Sequence, residues 1–527
     1  MTSDETLYDA AIIGCGPVGA VMANLLGQYG LRVTIFEIGS SVYHLPRAAH
    51  FDAEIMRVFQ AIGVADAVLP ATQPIKGMDF LSGDGKKLFG FAAADGDTWQ
   101  AWPQGFLFYQ PDLEVALRDG LRRFQNVDVR YEHEVLAFEQ RGDRVDLTVR
   151  DLQTGTEHIV HARYVLGADG GRSTTRKLAG LELEDLGFDQ PWLVVDTMLK
   201  RDVVLPEAAL QICDPARPTT FIPSAGAHRR WEFMLLAGET AEMMEQPARV
   251  EELIRAWIST DDAEITRAVV YTFHALIAKQ WRDRRVLILG DAAHQMPPFL
   301  GQGMCSGIRD AHNLAWKLRL VLAGRAGEAL LDTYQRERAP HVRTIIERAV
   351  GFGQIIQTTD HAVAAARDAR FLSQAEAGGA PPFGDVRMPG LGVGVCAVTA
   401  AAGELFPQPF VRTADGQEPR LDDLLGDGFA LVGTASQAGA LSRLAALLAE
   451  ATGVASRAIA FGETPAEDAG VTTVVESGTI MRDWIAAHGA TIVRPDRYVF
   501  GVATSTDELG HLVGELRRQL VGERAPA

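Results

Sequence analysis

The sequence is short of the features that would place it outside the cell or on nucleic acid. Its four cysteines, Cys15, Cys213, Cys305 and Cys396, are far apart and form no Cys-x-x-Cys pair. That excludes a disulfide framework and a zinc site, so no metal is expected. No apolar run is long enough to span a bilayer, and the opening Met1-Thr2-Ser3-Asp4-Glu5-Thr6 is polar and acidic, without a signal-peptide pattern. Positive charge is also scarce: 50 Lys and Arg against 68 Asp and Glu give a formal net charge of −18. Nucleic acid and anionic membrane, which need clustered cations, are not expected as partners. At 47% hydrophobic and 22% charged residues the chain reads as a soluble globular protein of the cytoplasm. Its 527 residues call for two or three domains.

What is present begins at Tyr8-Asp9-Ala10-Ala11-Ile12-Ile13-Gly14-Cys15-Gly16-Pro17-Val18-Gly19. An apolar strand runs into Gly-x-Gly-x-x-Gly, a helix follows over 20–29, and a second strand, Arg32 to Phe36, ends in Glu37. This is a βαβ unit built to hold a dinucleotide. Gly14 allows the tight turn, Gly16 leaves no Cβ between backbone and pyrophosphate, and Gly19 lets helix and strand pack closely. The helix N-terminus turns unpaired N–H groups to the phosphates. Glu37, 18 residues after Gly19, stands where a carboxylate binds a ribose hydroxyl.

Further along, Arg47 follows a proline that stiffens its loop, within reach of whatever the Gly loop holds; a plain surface arginine is the other reading. A helix is expected from Asp52 to Ile62. A hairpin turning at Asp84-Gly85 spans Met78 to Phe91. Phe106 to Pro111 reads as a short strand before a helix capped by Asp112. Strands then lead to Gly167-Ala168-Asp169-Gly170 and a Ser/Thr-capped helix. The stretch from 186 to 275, rich in Trp, Phe and Pro, alternates like an antiparallel sheet whose aromatic residues either wall an apolar pocket or fill a core. The chain returns with Arg285 to Leu289, then Gly290-Asp291, the loop Met296-Pro297-Pro298-Phe299-Leu300-Gly301-Gln302-Gly303, and a strong helix. Such a loop at a helix N-terminus is a second place for backbone donors to meet an anion or carbonyl. A Gly- and Pro-rich linker is expected at 374–395, and a small α/β unit of thioredoxin type, without redox cysteines, at 396–527. The first domain would comprise 1–185, with 276–373 returning to it.

Gly-x-Gly-x-x-Gly, then Asp-Gly, then Gly-Asp, with Asp291 lying 277 residues after Gly14, resembles the group A flavoprotein aromatic hydroxylases, and most closely those acting on 3-(3-hydroxyphenyl)propionate. The stretches 43–48, 213–218, 229–234 and 301–318 carry the likeness. It implies a Rossmann-like α/β FAD-binding domain with an inserted antiparallel substrate sheet. By resemblance, Gly14, Gly16, Pro17, Gly19 and Glu37 would bind the ADP half of FAD, Asp169 would sit near the pyrophosphate, and Gly290 and Asp291 would hold the ribityl chain. Pro298, Gly301, Gln302, Gly303 and Met304 would lie along the flavin ring, with Arg47 and Gln110 nearby. The implied reaction consumes NADH or NADPH, with NADH preferred, and O2, and hydroxylates a phenol through a flavin C4a-hydroperoxide, 3-(3-hydroxyphenyl)propionate yielding the 2,3-dihydroxy product. A base must take the phenolic proton, and His274, Tyr271 and Arg47 are the catalytic candidates; a buried structural role is the alternative for His274. A substrate carboxylate would call for a cation such as Arg217, Arg229 or Arg230. A homodimer is expected. The rival readings are a tailoring monooxygenase of a polyphenol or polyketide and a non-catalytic FAD-bound regulator.

Overall fold

The computed structural model describes residues 2–378, 388–468 and 470–521. A parallel sheet forms the floor. In spatial order it holds Val286–Ile288, Glu157–Gly167, Thr2–Ile13 (β1), Val33–Glu37 (β2) and Val127–Tyr131, every neighbouring pair parallel. The end of β1, residues 10–13, is apolar on both faces because both are covered. Ala10 and Ile12 enter the main core beside the helix Pro17–Gln28 (α1), while Ala11 and Ile13 pack with Val145, Val149 and Val165. Strands 133–140 and 145–151 extend the sheet in antiparallel fashion.

His50–Asp52 (β3) feeds the helix Ala53–Ala61 (α2), whose first turn Asp52 caps through Ile55 N. The helix Gln110–Leu121 (α3) begins earlier than expected. Tyr109 is its cap and Asp112 lies inside the first turn, because Pro111 fits a first-turn position where its missing N–H is no loss.

The second sheet is antiparallel, built around Leu183–Leu199 (β4), His228–Met234 (β5) and Ala263–Ala278 (β6), with Thr219–Ile222 and Ala209–Cys213 beyond β5. The hairpin of strands 77–82 and 87–92, turning at Gly85, joins its far edge through a parallel pairing with 209–213. Alternation divides its residues. Leu193, Val195, Phe221, Trp231 and Phe233 face helices 241–244 and 247–254 and form a separate core. Trp192, Val194, Asp196, Arg230, Glu232 and Met234 face the other way, towards the nucleotide-binding half.

The helix Gly303–Leu322 (α4) crosses under α1 and is followed by Ala329–Ile356 (α5) and His361–Glu376. Most of the expected linker at 374–395 surrounds residues 379–387, which lie outside the described residues. The C-terminal unit has a mixed sheet ordered Val471–Glu476, Arg457–Phe461, Ala430–Thr434, Ala490–Val493, Val499–Ala503. The first three are mutually parallel and the last two antiparallel to their neighbours. It seats on α5, α2 and α4 through buried polar contacts: Arg494 Nη2 lies 2.8 Å from the Glu337 carboxylate, which Lys317 Nζ also meets at 2.7 Å, Arg57 binds Asp422 in bidentate fashion, and Asn313 and Trp316 donate to Asp496. Among the described residues no helix is long and apolar enough to cross a membrane, and no acidic, His and Cys groups gather into a metal site.

Candidate active site

The glycine loop has the shape a pyrophosphate needs. Gly14 sits at φ +97°, and a Cβ there would come within 2.6 Å of the Ala168 carbonyl oxygen; one at Gly19 would come within 2.0 Å of the Gly14 oxygen. At Gly16 a Cβ would meet nothing within 4 Å. So Gly14 and Gly19 are required by the protein itself, whereas the space over Gly16 is open. The α1 N-terminus behind it, Pro17 at N1, has no side-chain cap and leaves its donors free. Glu37 accepts the Cys15 and Gly39 N–H groups, each at 2.8 Å, with Arg118 3.9 Å away. That fixes the carboxylate at the end of β2 beside the loop.

Asp169 behaves differently from expectation. Its carboxylate turns back to accept Ser173 Oγ at 2.5 Å, Thr175 N at 2.9 Å and Thr175 Oγ1 at 3.0 Å, bracing the short helix Thr174–Leu178. What remains open there is the backbone of Gly170, φ +76°, with free space over its Cα. Gln110 also works at one remove: its Oε1 accepts both the Arg47 and Ala48 N–H groups at 2.7 Å, and its Nε2 donates to Glu114 at 2.8 Å. It pins the loop that presents Arg47. The Arg47 guanidinium is exposed and lies 5.4 Å from the Tyr43 ring.

Gly290 takes φ +61°, and its N–H donates to Asp310 at 3.1 Å. The next residue, Asp291, reaches open space, yet the protein around its other sides raises its carboxyl above the usual value, with His294 and Arg47 pulling it back. The ring loop then makes a single 3-10 turn at Pro298–Leu300, a left-handed Gly301 at φ +62°, and the uncapped start of α4 at Gly303 and Met304. Its conformation is held from beneath. Gln302 Nε2 donates to Asp52 at 3.1 Å while its Oε1 accepts from Arg309 at 2.9 Å; Arg309 pairs with Asp52 and Glu54; Tyr498 Oη donates to Glu54 at 2.8 Å. His50 projects beside this loop between two glycines, since a Cβ at Gly301 would lie 3.0 Å from its Nδ1 and one at Gly105 2.5 Å from its Nε2.

The second sheet closes the site from above. Phe299 of the ring loop packs edge-on against Trp192 at 5.6 Å. Arg230, 4% exposed, donates to the Arg47 oxygen at 2.6 Å, the Pro46 oxygen at 2.9 Å and Asp196 at 2.7 Å. Tyr271, opposite Trp192, points to this same side, its hydroxyl accepting from Arg267 at 3.3 Å. His274 does not. Three residues along the strand, it faces the opposite side and meets Asp189 at 2.9 Å with its side chain 39% exposed. Alternation therefore separates it from the site, and it is neither the expected base nor a buried core histidine. Arg217 is bound to Glu239, and Arg229 to the Gly226 and His228 oxygens. The half-buried Asp52 and the buried charges Glu54, Asp196, Glu232, Arg267 and Arg309 were not singled out from the sequence. Only those of β5 left a signal, charge at alternate positions of an aromatic strand, as in Arg230-Trp231-Glu232.

A family model described as an FAD binding domain matches residues 7–349, and one described as the HcaD C-terminal domain matches 403–519. The chain belongs to the group A flavoprotein aromatic hydroxylases. This hydroxylase is 40% identical to a probable NADH-specific resorcinol 4-hydroxylase of Rhodococcus jostii strain RHA1, over 96% of this chain and 94% of that one. It is 38% identical to a 3-(3-hydroxy-phenyl)propionate/3-hydroxycinnamic acid hydroxylase of Mycobacterium sp. strain JLS, over 94% and 89%. In fold it matches aklavinone-11 hydroxylase, solved with FAD and aklavinone, at TM-score 0.80 and 24% identity, over 99% of this chain and all of that one. The flavin-dependent monooxygenase PieE matches at TM-score 0.79 and 21% identity, over 98% of this chain and 100% of that chain. The hydroxylase is thus an FAD-dependent aromatic monooxygenase with a mixed α/β fold. The open space over Gly16 and the two uncapped helix N-termini fit that cofactor.

Proposed function

We propose that the enzyme uses NADH to hydroxylate a phenol bearing a second substituent meta to its hydroxyl, 3-(3-hydroxyphenyl)propionate being the first substrate to test. The Rhodococcus and Mycobacterium relatives are named for rings of that kind, each with a hydroxyl meta to a second substituent. Resorcinol is a second reading, favoured because the Arg217, Arg229 and Arg230 guanidiniums are engaged within the protein, which leaves none of these three poised for a propionate. The observation that carries the proposal is the buried sheet face of Trp192, Val194 and Met234 closing over the ring loop through Phe299.

Bound FAD would supply hydride acceptance and the activation of O2. The Gly14–Gly19 loop and Glu37 would hold its ADP half, and Gly290, Asp291 and the segment Pro298–Met304 the remainder. The α4 N-terminus favours negative charge placed before it. Trp192, Phe299 and Met234 keep water from the reacting ring, which limits side reactions. Tyr271, steadied by Arg267, and Arg47, held by Gln110, border the same space. The sheet order and strand directions of the C-terminal unit support its reading as a thioredoxin-like domain, and its lack of a cysteine pair supports a packing role. The domain division at 185, 275, 373 and 395, the cytoplasmic site and the homodimer belong to the same reading; sedimentation tests the last.

NADH oxidation and product formation measured with a panel of phenols test the function. Stimulation and hydroxylation by 3-(3-hydroxyphenyl)propionate or resorcinol support it and rank the two. Turnover of large polyphenols alone would replace it.

A further inference from the structure

Glu232 is a buried acid with no adequate partner. It sits in the middle of β5, 4% exposed, on the face that closes the site. Its cross-strand neighbours are Val194 and Thr220. The Thr220 hydroxyl is turned to Gln211 Oε1 at 2.6 Å, and Gln211 Nε2 faces the Met78 sulfur at 4.0 Å, so neither serves the acid. The nearest cation, Arg230 Nη1, stands 3.9 Å away and already donates to the Arg47 oxygen. Among the described residues the Glu232 side chain makes no hydrogen bond. Asp196, on the same face, by contrast holds both Arg230 and Arg267. Burying a carboxyl without such compensation is costly, and exceptions of this kind call for a reason.

Position supplies one. Two residues one way along β5, Arg230 grips the loop that carries Arg47. Two residues the other way, Met234 pairs with Trp192, which packs on Phe299 of the ring loop. Glu232 thus lies between the two points where the sheet meets the flavin-binding half, at the centre of the enclosed face.

We propose that Glu232 is a catalytic residue, its carboxylate accepting the hydrogen bond of the substrate's phenolic hydroxyl and taking up that proton. This rests on the proposed phenol hydroxylation. The phenolic O–H bond breaks, a carboxyl O–H bond forms, and the electron pair stays on the phenolate oxygen, enriching the ortho and para carbons; the proton returns to the product's phenolate oxygen. The charged groups facing Glu232 are Arg230 on its own strand, Asp196 on β4 and Arg267 on β6. Burial raises its carboxyl above the ordinary value, Arg230 and Arg267 oppose this and Asp196 adds to it, which brings the acid closer to the range where a base works well.

The test is the holoenzyme carrying Glu232→Gln, with FAD content and circular dichroism reporting the fold. Product formed per NADH consumed should fall roughly 10²-fold, the scale of a lost general base, with H2O2 in its place. The acid limb of the kcat/KM profile should vanish, and Glu232→Asp should restore part of both. Unchanged coupling and an unchanged profile overturn the inference. Should the Gln variant fail to accumulate, the wild type decides: the O-methyl ether of the substrate should bind about tenfold more weakly than the phenol, and equal affinity overturns it. A wild type that hydroxylates no phenol overturns the functional reading and this inference together, whereas an active wild type beside an unaltered Gln variant overturns the inference alone.

Discussion

Gly14 and Gly16 stand two residues apart in the same loop, yet alanine should act on them through different states of the protein. At Gly16 the backbone is ordinary, φ −72° and ψ −175°, and a Cβ meets no protein atom within 4 Å. Gly16→Ala should therefore leave the apoprotein intact and, by restricting the unfolded chain, stabilise it by roughly 0.4–1 kcal/mol. The same methyl stands in the space assigned to the pyrophosphate. Losing one or two charge-assisted backbone contacts of about 1.5–3 kcal/mol each should weaken FAD at least tenfold. At Gly14 alanine must adopt φ +97° and press within 2.6 Å of the Ala168 oxygen. Strain of that kind costs roughly 1–3 kcal/mol, so the apoprotein should melt about 1–3 °C lower from strain alone and further through the contact. Apoprotein melting curves and FAD titration by flavin fluorescence separate the two. The reasoning fails if Gly16→Ala lowers the apoprotein melting temperature as much as Gly14→Ala, or if it binds FAD as the wild type does.

Gln110→Ala strands the Arg47 and Ala48 N–H groups, which should loosen that loop at a cost of about 1–3 kcal/mol and raise the share of NADH diverted to H2O2; coupling measured with a phenol checks it. Asp169→Asn keeps the shape but weakens the brace on helix 174–178, so stability should drop by about 1 kcal/mol with FAD content retained, as urea melts would show. Stability should also fall on acidification. Burial lowers His312 to about 4, with Asp496 opposing and Arg497 adding. Between that value and the ordinary 6.5 the unfolded chain binds more protons than the folded one, so stability rises with pH and is lost as pH falls through this window, by up to about 3 kcal/mol. For Asp310 and Asp422, burial alone would raise the carboxyl, but His294 and Arg338 outweigh it at the first and Arg57 and Arg497 at the second. Both sit below the ordinary carboxylate value, so the loss continues as pH drops past it. Denaturant melts of His312→Gln should show a flatter profile between pH 6.5 and 4.

The parts of the site that rest on backbone were legible in the sequence, because glycine spacing reports backbone directly. Gly14, Gly19 and Gly301 all occupy positions where a side chain would collide or the backbone turns left-handed. The parts that rest on register were not. Alternation puts His274 and Tyr271 on opposite faces, but which of the two faces the site depends on the pairing of Tyr271 with Trp192 and on what covers that side of β4, and these are set by tertiary folding. Asp169 and Gln110 were found as polar residues at the right places, but their partners, Thr175 and the Arg47 and Ala48 amides, are set by tertiary folding. The acids and arginines of α2 and α4 were hidden for the same reason: a charge in a helix reads as surface until its partner is known.

The chain of contacts from Gln302 through Asp52, Arg309 and Glu54 to Tyr498 makes the tail something other than an appendage. Its last link belongs to the C-terminal unit and its first to the loop proposed to lie along the flavin ring. Whatever prises the tail away must open the ion pairs of Arg309 to water, and the slackening would travel along α4 to the turn at Pro298–Leu300. A truncated enzyme should for that reason leak peroxide before it loses its yellow colour.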